Sequence, residues 1–272
     1  MRILLVICLA LLALPAAAQE RRASHCIALV QDTPEIPIVQ ASFGAAPPAD
    51  TIRLTYIDHA MFLIETPEGV SAVTDYSGYL GPTEFAPDIA TMNNAHSTHW
   101  TSLPDPEIGT LLEGWGTVEN PQAHYHVDRD LLVRNVHTDT RSGQFGGEAR
   151  INGNSIFVFE VAGLCVGHLG HLHHEPDANQ YAALGRMDIV MVAVDGGLTL
   201  DHPSVIRVME RLRASIVVPM HWWGRGTLDA FIDGMSEEFR INRTGRSFME
   251  VSLRDLPSEP TVMVLEPRFL SD

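Results

Sequence analysis

No lysine occurs anywhere in the 272 residues; all eighteen basic side chains are arginine. A Schiff-base lysine, the Gly-Lys-Ser/Thr phosphate loop and the Ser-x-x-Lys nucleophile of penicillin-binding enzymes each need an ammonium group, so all three are excluded. The G-x-S-x-G elbow of serine hydrolases and the G-x-G-x-x-G dinucleotide fingerprint are also missing. Cysteine is scarce, at three residues, which is too few for an iron–sulfur cluster. Positive charge is scarce as well: 18 basic against 34 acidic residues leave a net charge of −16. Nucleic acid and anionic membrane surfaces reward clustered positive charge, so neither is an expected partner.

The first eighteen residues, MRILLVICLALLALPAAA, combine one arginine, an apolar run and a closing Ala16-Ala17-Ala18. That is the pattern of a secretory signal peptide cleaved after Ala18, and it places the protein in the periplasm or outside the cell. The mature chain of about 254 residues loses Arg2 and no acid, so its net charge becomes −17. Its two cysteines, Cys26 and Cys165, sit in an export context that permits one disulfide.

Residues 19–50, rich in Ala, Pro and Gln, read as an extended lead-in that packs at its end. Order begins at residue 51. TIRLTYID, AMFLIET and VSAVTD are short β-rich segments separated by turn residues such as Pro67, Glu68 and Gly69, a meander signature. A further apolar segment covers 89–92, and a short helix is expected near 107–113. Strands are predicted over 131–137, 155–161 and 164–167. After residue 176 helices and strands alternate: a helix over 178–184, a strand over 188–194, a helix over 202–213 and a strand over 215–220. Meanders that give way to β-α-β units predict a mixed α/β fold, in one domain over 51–272.

The 13 histidines cluster where strands end. His96 and His99 follow the segment at 89–92; His168, His171, His173 and His174 lie in GHLGHLHH; His221 follows SIVVPM. Strand ends project side chains from a rigid sheet into a shared cleft, and neutral imidazole is a common ligand for zinc and related metals.

The order of YIDHAMFLIETPEGVSAVTD, a histidine-rich loop, a glycine–histidine segment and IVVPMHWW resembles the metallo-β-lactamase fold superfamily over residues 51–225. Within it the resemblance is to the branch of ascorbate-6-phosphate lactonase and related metal-dependent hydrolases. It implies an αββα sandwich with a metal site at one edge between the sheets. The family's H-x-H-x-D-H motif falls on residues 94–99. Asn94 stands at its first histidine, Thr98 at its aspartate, and His96 and His99 match. The next histidine falls on His168, the bridging aspartate on His171 and the closing histidine on His221.

An asparagine oxygen is a weak ligand for zinc and a threonine hydroxyl a poor one. Without the bridging carboxylate the usual two-metal centre is not expected. The remaining imidazoles, His96, His99, His168, His171 and His221, suffice for one divalent ion. Zinc is the leading metal, and manganese, iron, nickel and copper are compatible with the same donors. The implied activity is an exported hydrolase that uses a metal-bound hydroxide on a small-molecule ester, lactone, amide or phosphoester. Asp195 and Asp58 are the expected proton acceptors, with Asp195 alternatively orienting a ligand histidine. His59, beside Asp58, and Asp75, at a strand end, are further residues the family places near the cleft. Two alternatives stay open: a degenerate relative that binds a ligand or partner without turnover, and a histidine-rich metal site with a non-hydrolytic role.

Overall fold

The structure is a computed structural model that describes residues 22–27, 46–141 and 149–272. The expected signal peptide over 1–18 and most of the lead-in over 19–50 lie outside the described residues. The ordered chain opens with β1 (Thr51–Asp58), β2 (Met61–Glu65), β3 (Ser71–Val73), β4 (Ile89–Met92) and β5 (Thr110–Glu113). A second run contains β6 (Tyr125–Asp128), β7 (Leu131–Thr140), β8 (Arg150–Val161) and β9 (Leu164–His168). Alternation then follows, with α1 (Ala178–Leu184), β10 (Ile189–Ala193), α2 (His202–Leu212), β11 (Ile216–Met220) and α3 (Arg225–Met235). The chain closes with β12 (Arg240–Arg243), β13 (Phe248–Ser252) and β14 (Thr261–Val264).

These strands form two sheets, one of six in the order β13-β1-β2-β3-β4-β5 and one of eight in the order β12-β14-β11-β10-β9-β8-β7-β6. Both sheets are buried on two faces, which explains why their central strands read as nearly continuous apolar runs. Ile52, Leu54, Phe62 and Ile64 of the first sheet meet Phe157, Phe159, Met191 and Val218 of the second in the central core. The opposite face of the second sheet, with Val158, Val190 and Val217, packs against Val208 and Met209 of α2 and Phe231 of α3. The outer face of the first sheet, with Leu63, Val73 and Met92, is covered by irregular chain that includes Tyr76, Leu80 and Leu270.

The expected helix near 107–113 is instead β5, paired in parallel with β4 from Ile89↔Thr110 to Met92↔Glu113. Its four residues TLLE are too few for periodicity to separate helix from strand, and pairing decides. Thr110 N donates to Asp88 O at 2.8 Å, which starts the ladder. The remaining predicted elements are present; β7 runs three residues past the expected 137 and β8 starts five before the expected 155, because the two extend one another as a long antiparallel pair, and the other ends shift by a residue or two.

Residues 22–27, near the start of the lead-in, are pinned to the second sheet. Cys26 and Cys165 form a disulfide. Ser24 Oγ and His25 N donate to the carboxylate of the fully buried Glu160, at 2.6 and 3.0 Å. Arg134 Nε donates to the same carboxylate at 2.7 Å, while its two terminal nitrogens donate to the carbonyls of Ala183 and Leu184 at the end of α1. One buried ion pair thus ties strand, helix end and N-terminal segment together. Removing one partner of such a pair leaves an uncompensated charge, so Glu160→Ala is expected to cost about 3–5 kcal/mol of stability in urea denaturation. A cost within 1 kcal/mol would show that Arg134 finds water or another acceptor.

Candidate metal centre

The parallel strands β9, β10 and β11 point the same way, with Met191 level with His168 and Ala193 level with Met220. Their C-terminal ends therefore release His168, Asp195 and His221 along one edge of the second sheet. The C-terminal end of β4 brings His96 and His99 from the first sheet, and the β1–β2 turn brings His59. Carbonyl oxygen of His59 accepts from His221 N at 2.8 Å and from Tyr56 Oη at 2.7 Å, which couples the two edges. His59, Asp75 and His221 have φ of 46°, 44° and 58°. Left-handed backbone at bulky residues costs on the order of 1–3 kcal/mol each and collects where function needs a fixed aim.

His99 and His221 stack at 5.0 Å between ring centroids and face each other through their Nε2 atoms at 3.1 Å. Behind His99, Nδ1 contacts the carboxylate of Asp75 in a very short hydrogen bond. Behind His221, Nδ1 lies 2.9 Å from Asp195 Oδ2, close in distance though poorly aligned. Each carboxylate draws the ring proton to Nδ1 and turns the Nε2 lone pair inward. Burial pushes Asp75 up to about 7, against the stabilising charge of His168 and the Asn93 amide, so above that pH it is ionised. Burial also opposes ionisation of Asp195. The contact with His221 and the amides of Thr199 and Gly197 overcome it and hold that carboxyl far below its usual range.

His59 completes a group with His99 and His221, their ligand atoms lying within 4.8 Å of one another. Its Nε2 is buried and has no hydrogen-bond partner among the described residues. Burial, with His221 and His99 adding to it, holds His59 down at about 3, so the ring is uncharged at neutral pH. A second group, His96, His99 and His171, meets the same distance condition and shares His99. His96 stacks on His171 at 5.2 Å and is the exposed member; its Nδ1 lies 3.2 Å from Thr98 Oγ1. His171 stands edge-on to His99 and to His221. Trp223, 65% exposed, lies 4.8 Å from the His59 ring and walls the site on the solvent side. Trp100 and Trp222 pack into the core instead.

Four of the five expected ligand residues converge, and His168 does not. Its Nε2 is bound to Ala60 O at 2.8 Å, and its Nδ1 lies 3.0 Å from Asn93 Nδ2 and accepts from Gly170 N at 3.2 Å. With both nitrogens engaged by protein, it locks β9 to the β1–β2 turn and offers no lone pair to an ion. Asp58 accepts from the backbone amide of His59, and no hydrogen bond or ion pair joins its carboxylate to an imidazole among the described residues. Asp195 does reach the site, but as the group behind His221. Its oxygens already accept from the amides of Gly197, Leu198 and Thr199 and from the Thr199 hydroxyl.

Two features had no signal in the sequence. Arg150 donates to Asn94 Oδ1, placing a guanidinium at the start of the loop that carries His96 and His99. His173 lies 2.8 Å from His171, and burial with the Arg141 charge holds it at about 4.

The fit of a divalent ion can be judged from these donors. Two ligands on a tetrahedral ion with bonds of 2.0–2.1 Å stand about 3.3 Å apart, close to the 3.1 Å between the Nε2 atoms of His99 and His221. Without a cation or a shared proton, two inward lone pairs at that distance repel, and the buried, unpartnered Nε2 of His59 is unsatisfied. The residues present fit such an ion.

Comparison with known proteins agrees with this geometry. A UPF0173 protein of Pyrococcus abyssi is 23% identical over 198 residues, 66% of this chain and 89% of that protein. A UPF0173 metal-dependent hydrolase of Thermoplasma acidophilum is 23% identical over 158 residues, 52% of this chain and 68% of its own length. Among solved structures, a Thermotoga maritima protein described as a zinc-dependent hydrolase of the metallo-β-lactamase superfamily superimposes with a TM-score of 0.58. It is 23% identical, with 79% of this chain and 99% of that chain covered. Igni18, a metallo hydrolase of Ignicoccus hospitalis, gives a TM-score of 0.53 at 18% identity, with 75% and 99% covered. These likenesses establish the sandwich fold, and the family model described as a beta-lactamase superfamily domain matches residues 53–221. With its histidines gathered at one edge between two sheets, the chain belongs to the metallo-β-lactamase superfamily of metal-dependent hydrolases.

Proposed function

We propose that the protein is an exported hydrolase that holds one divalent ion, zinc by the character of its donors, on Nε2 of His99, His221 and His59. The observation that carries this is the pair of inward Nε2 atoms 3.1 Å apart, each backed by a buried carboxylate on its Nδ1 side. Three neutral imidazoles with a fourth position open suit a catalytic zinc site. Arg150 on Asn94 supports a single ion, because a fixed guanidinium next to a second cation is electrostatically unfavourable.

A bound ion supplies Lewis acidity, lowering the pKa of water and polarising the carbonyl or phosphoryl group of an ester, lactone, amide or phosphoester. The chain's own residues do the rest. Asp75 and Asp195 fix the tautomers of His99 and His221, and Asp195, with three amides, a hydroxyl and His221 around it, is too fully engaged to take a proton itself. That task falls to His96, which is exposed at the rim and neutral. Burial lowers its pKa, and the neighbouring His221 and Arg150 lower it further. Trp223 and His59 limit access of solvent from one side. A small-molecule substrate suits this enclosed edge. The Cys26–Cys165 disulfide supports an oxidising compartment, in keeping with the signal-like residues 1–18. No helix among the described residues is long and apolar enough to cross a membrane.

Four outcomes test the proposal. Protein purified without chelators and titrated with zinc is expected to bind one equivalent, and His99→Ala or His221→Ala to bind less than about a tenth of that. Full zinc content in both variants would remove this ligand set, and no zinc in the parent protein would favour a relative without turnover. Asp75→Asn is expected to weaken zinc binding about 10–100-fold, since an amide cannot draw the proton to His99 Nδ1. Zinc affinity in the parent should fall as pH drops below about 7, where Asp75 takes a proton and the lone pair of His99 turns away from the site. Calorimetric titration across pH 5 to 8 would show a flat profile if Asp75 has no such role. Hydrolysis of an ester and lactone panel that survives His96→Ala unchanged would exclude His96 as proton acceptor.

A further inference from the structure

The hydrogen bonds around His171 fix which of its nitrogens bears the proton. Arg141 N–H donates to His173 Nδ1 at 2.8 Å. A nitrogen that accepts an amide proton has its lone pair free, so the His173 ring proton is on Nε2. That Nε2 lies 2.8 Å from His171 Nδ1, to which it must donate. His171 Nδ1 is therefore an acceptor in turn, and the proton of the neutral His171 ring is on Nε2. No described residue takes that Nε2–H. Arg141 is itself held in place, its guanidinium donating to Gly197 O at 2.6 Å and Thr199 O at 2.7 Å. The His171 amide is fixed to Asn154 Oδ1 at 3.0 Å.

We propose that His171 is not a metal ligand but a fixed hydrogen-bond donor at the edge of the metal pocket. A relay from the Arg141 amide through His173 holds its Nε2–H ready for an acceptor oxygen of the substrate. This rests on the metal reading of His99, His221 and His59. An N–H at this position repels a further cation and stabilises negative charge as it develops on a carbonyl or phosphoryl oxygen. The substrate class is thereby narrowed to one that presents such an oxygen beside the ion, with His171 as its electrophilic partner.

Long-range nitrogen–proton correlation on protein labelled with ¹⁵N-histidine tests the tautomer directly, with and without zinc. His171 is expected to show a protonated Nε2 and a bare Nδ1 in both states. A protonated Nδ1, or a zinc-shifted Nε2, would overturn the proposal. His173→Leu breaks the relay and is expected to mix the two His171 tautomers. His173→Gln, whose amide can accept at Oε1 and donate at Nε2, is expected to restore the single one. An unchanged tautomer in His173→Leu would overturn the relay. His171→Gln should keep one zinc equivalent with affinity reduced less than about 10-fold, against the loss expected for a ligand. Were the parent protein to bind no zinc, the proposed function would fail, while the tautomer in the metal-free protein would still decide the role of His171.

Discussion

Two buried carboxylates behind two imidazoles set the terms for the rest of the site. Asp75 and Asp195 are shielded from water, and a buried carboxylate persists only where hydrogen-bond donors surround it. Asn93 N and His99 serve Asp75; three amides, a hydroxyl and His221 serve Asp195. By occupying Nδ1 of each ring they commit both Nε2 atoms to the same small space. The electrostatics of the pocket follow from this commitment: the surrounding imidazoles are pushed toward neutrality by burial and by one another, and a cation is the natural occupant.

The sandwich makes the arrangement possible because it ends several strands at one edge. Parallel pairing of β9, β10 and β11 brings Asp195 and His221 to the same level, and the facing sheet contributes His96 and His99 after β4. The His59 carbonyl joins the two sheets at that edge by accepting from Tyr56 and His221. His168 belongs to the same framework, spending both nitrogens on backbone and Asn93 rather than on an ion. Sheet, hinge residue and ligand positions are thus one mechanical unit, and the left-handed backbone at His59, Asp75 and His221 is carried by the packing around it.

The departures from the family motif form a consistent set. Asn94 is matched with Arg150, Thr98 with His96, and His171 with His173. Each of the three residues thus has a basic side chain as its partner.

Much of this was legible in the sequence. The strand endings and the histidine clusters can be read directly, because apolar runs and ligand spacing are local properties of the chain. The strand at 110–113 was not legible, since four residues carry too little periodicity and pairing with β4 decided it. The roles of the individual histidines were not legible either. Sequence treats His168 and His171 alike, and only the fold shows Ala60 and Asn93 saturating one and His173 orienting the other. His59 is one histidine in a turn until the sheets close over it. The amino-acid sequence by itself determined the sandwich, its edge and a surplus of imidazoles. Tertiary structure alone decided which nitrogens face inward, because a ring's tautomer is set by partners 24 to 122 residues distant along the chain, as for Asp75 and His221 around His99.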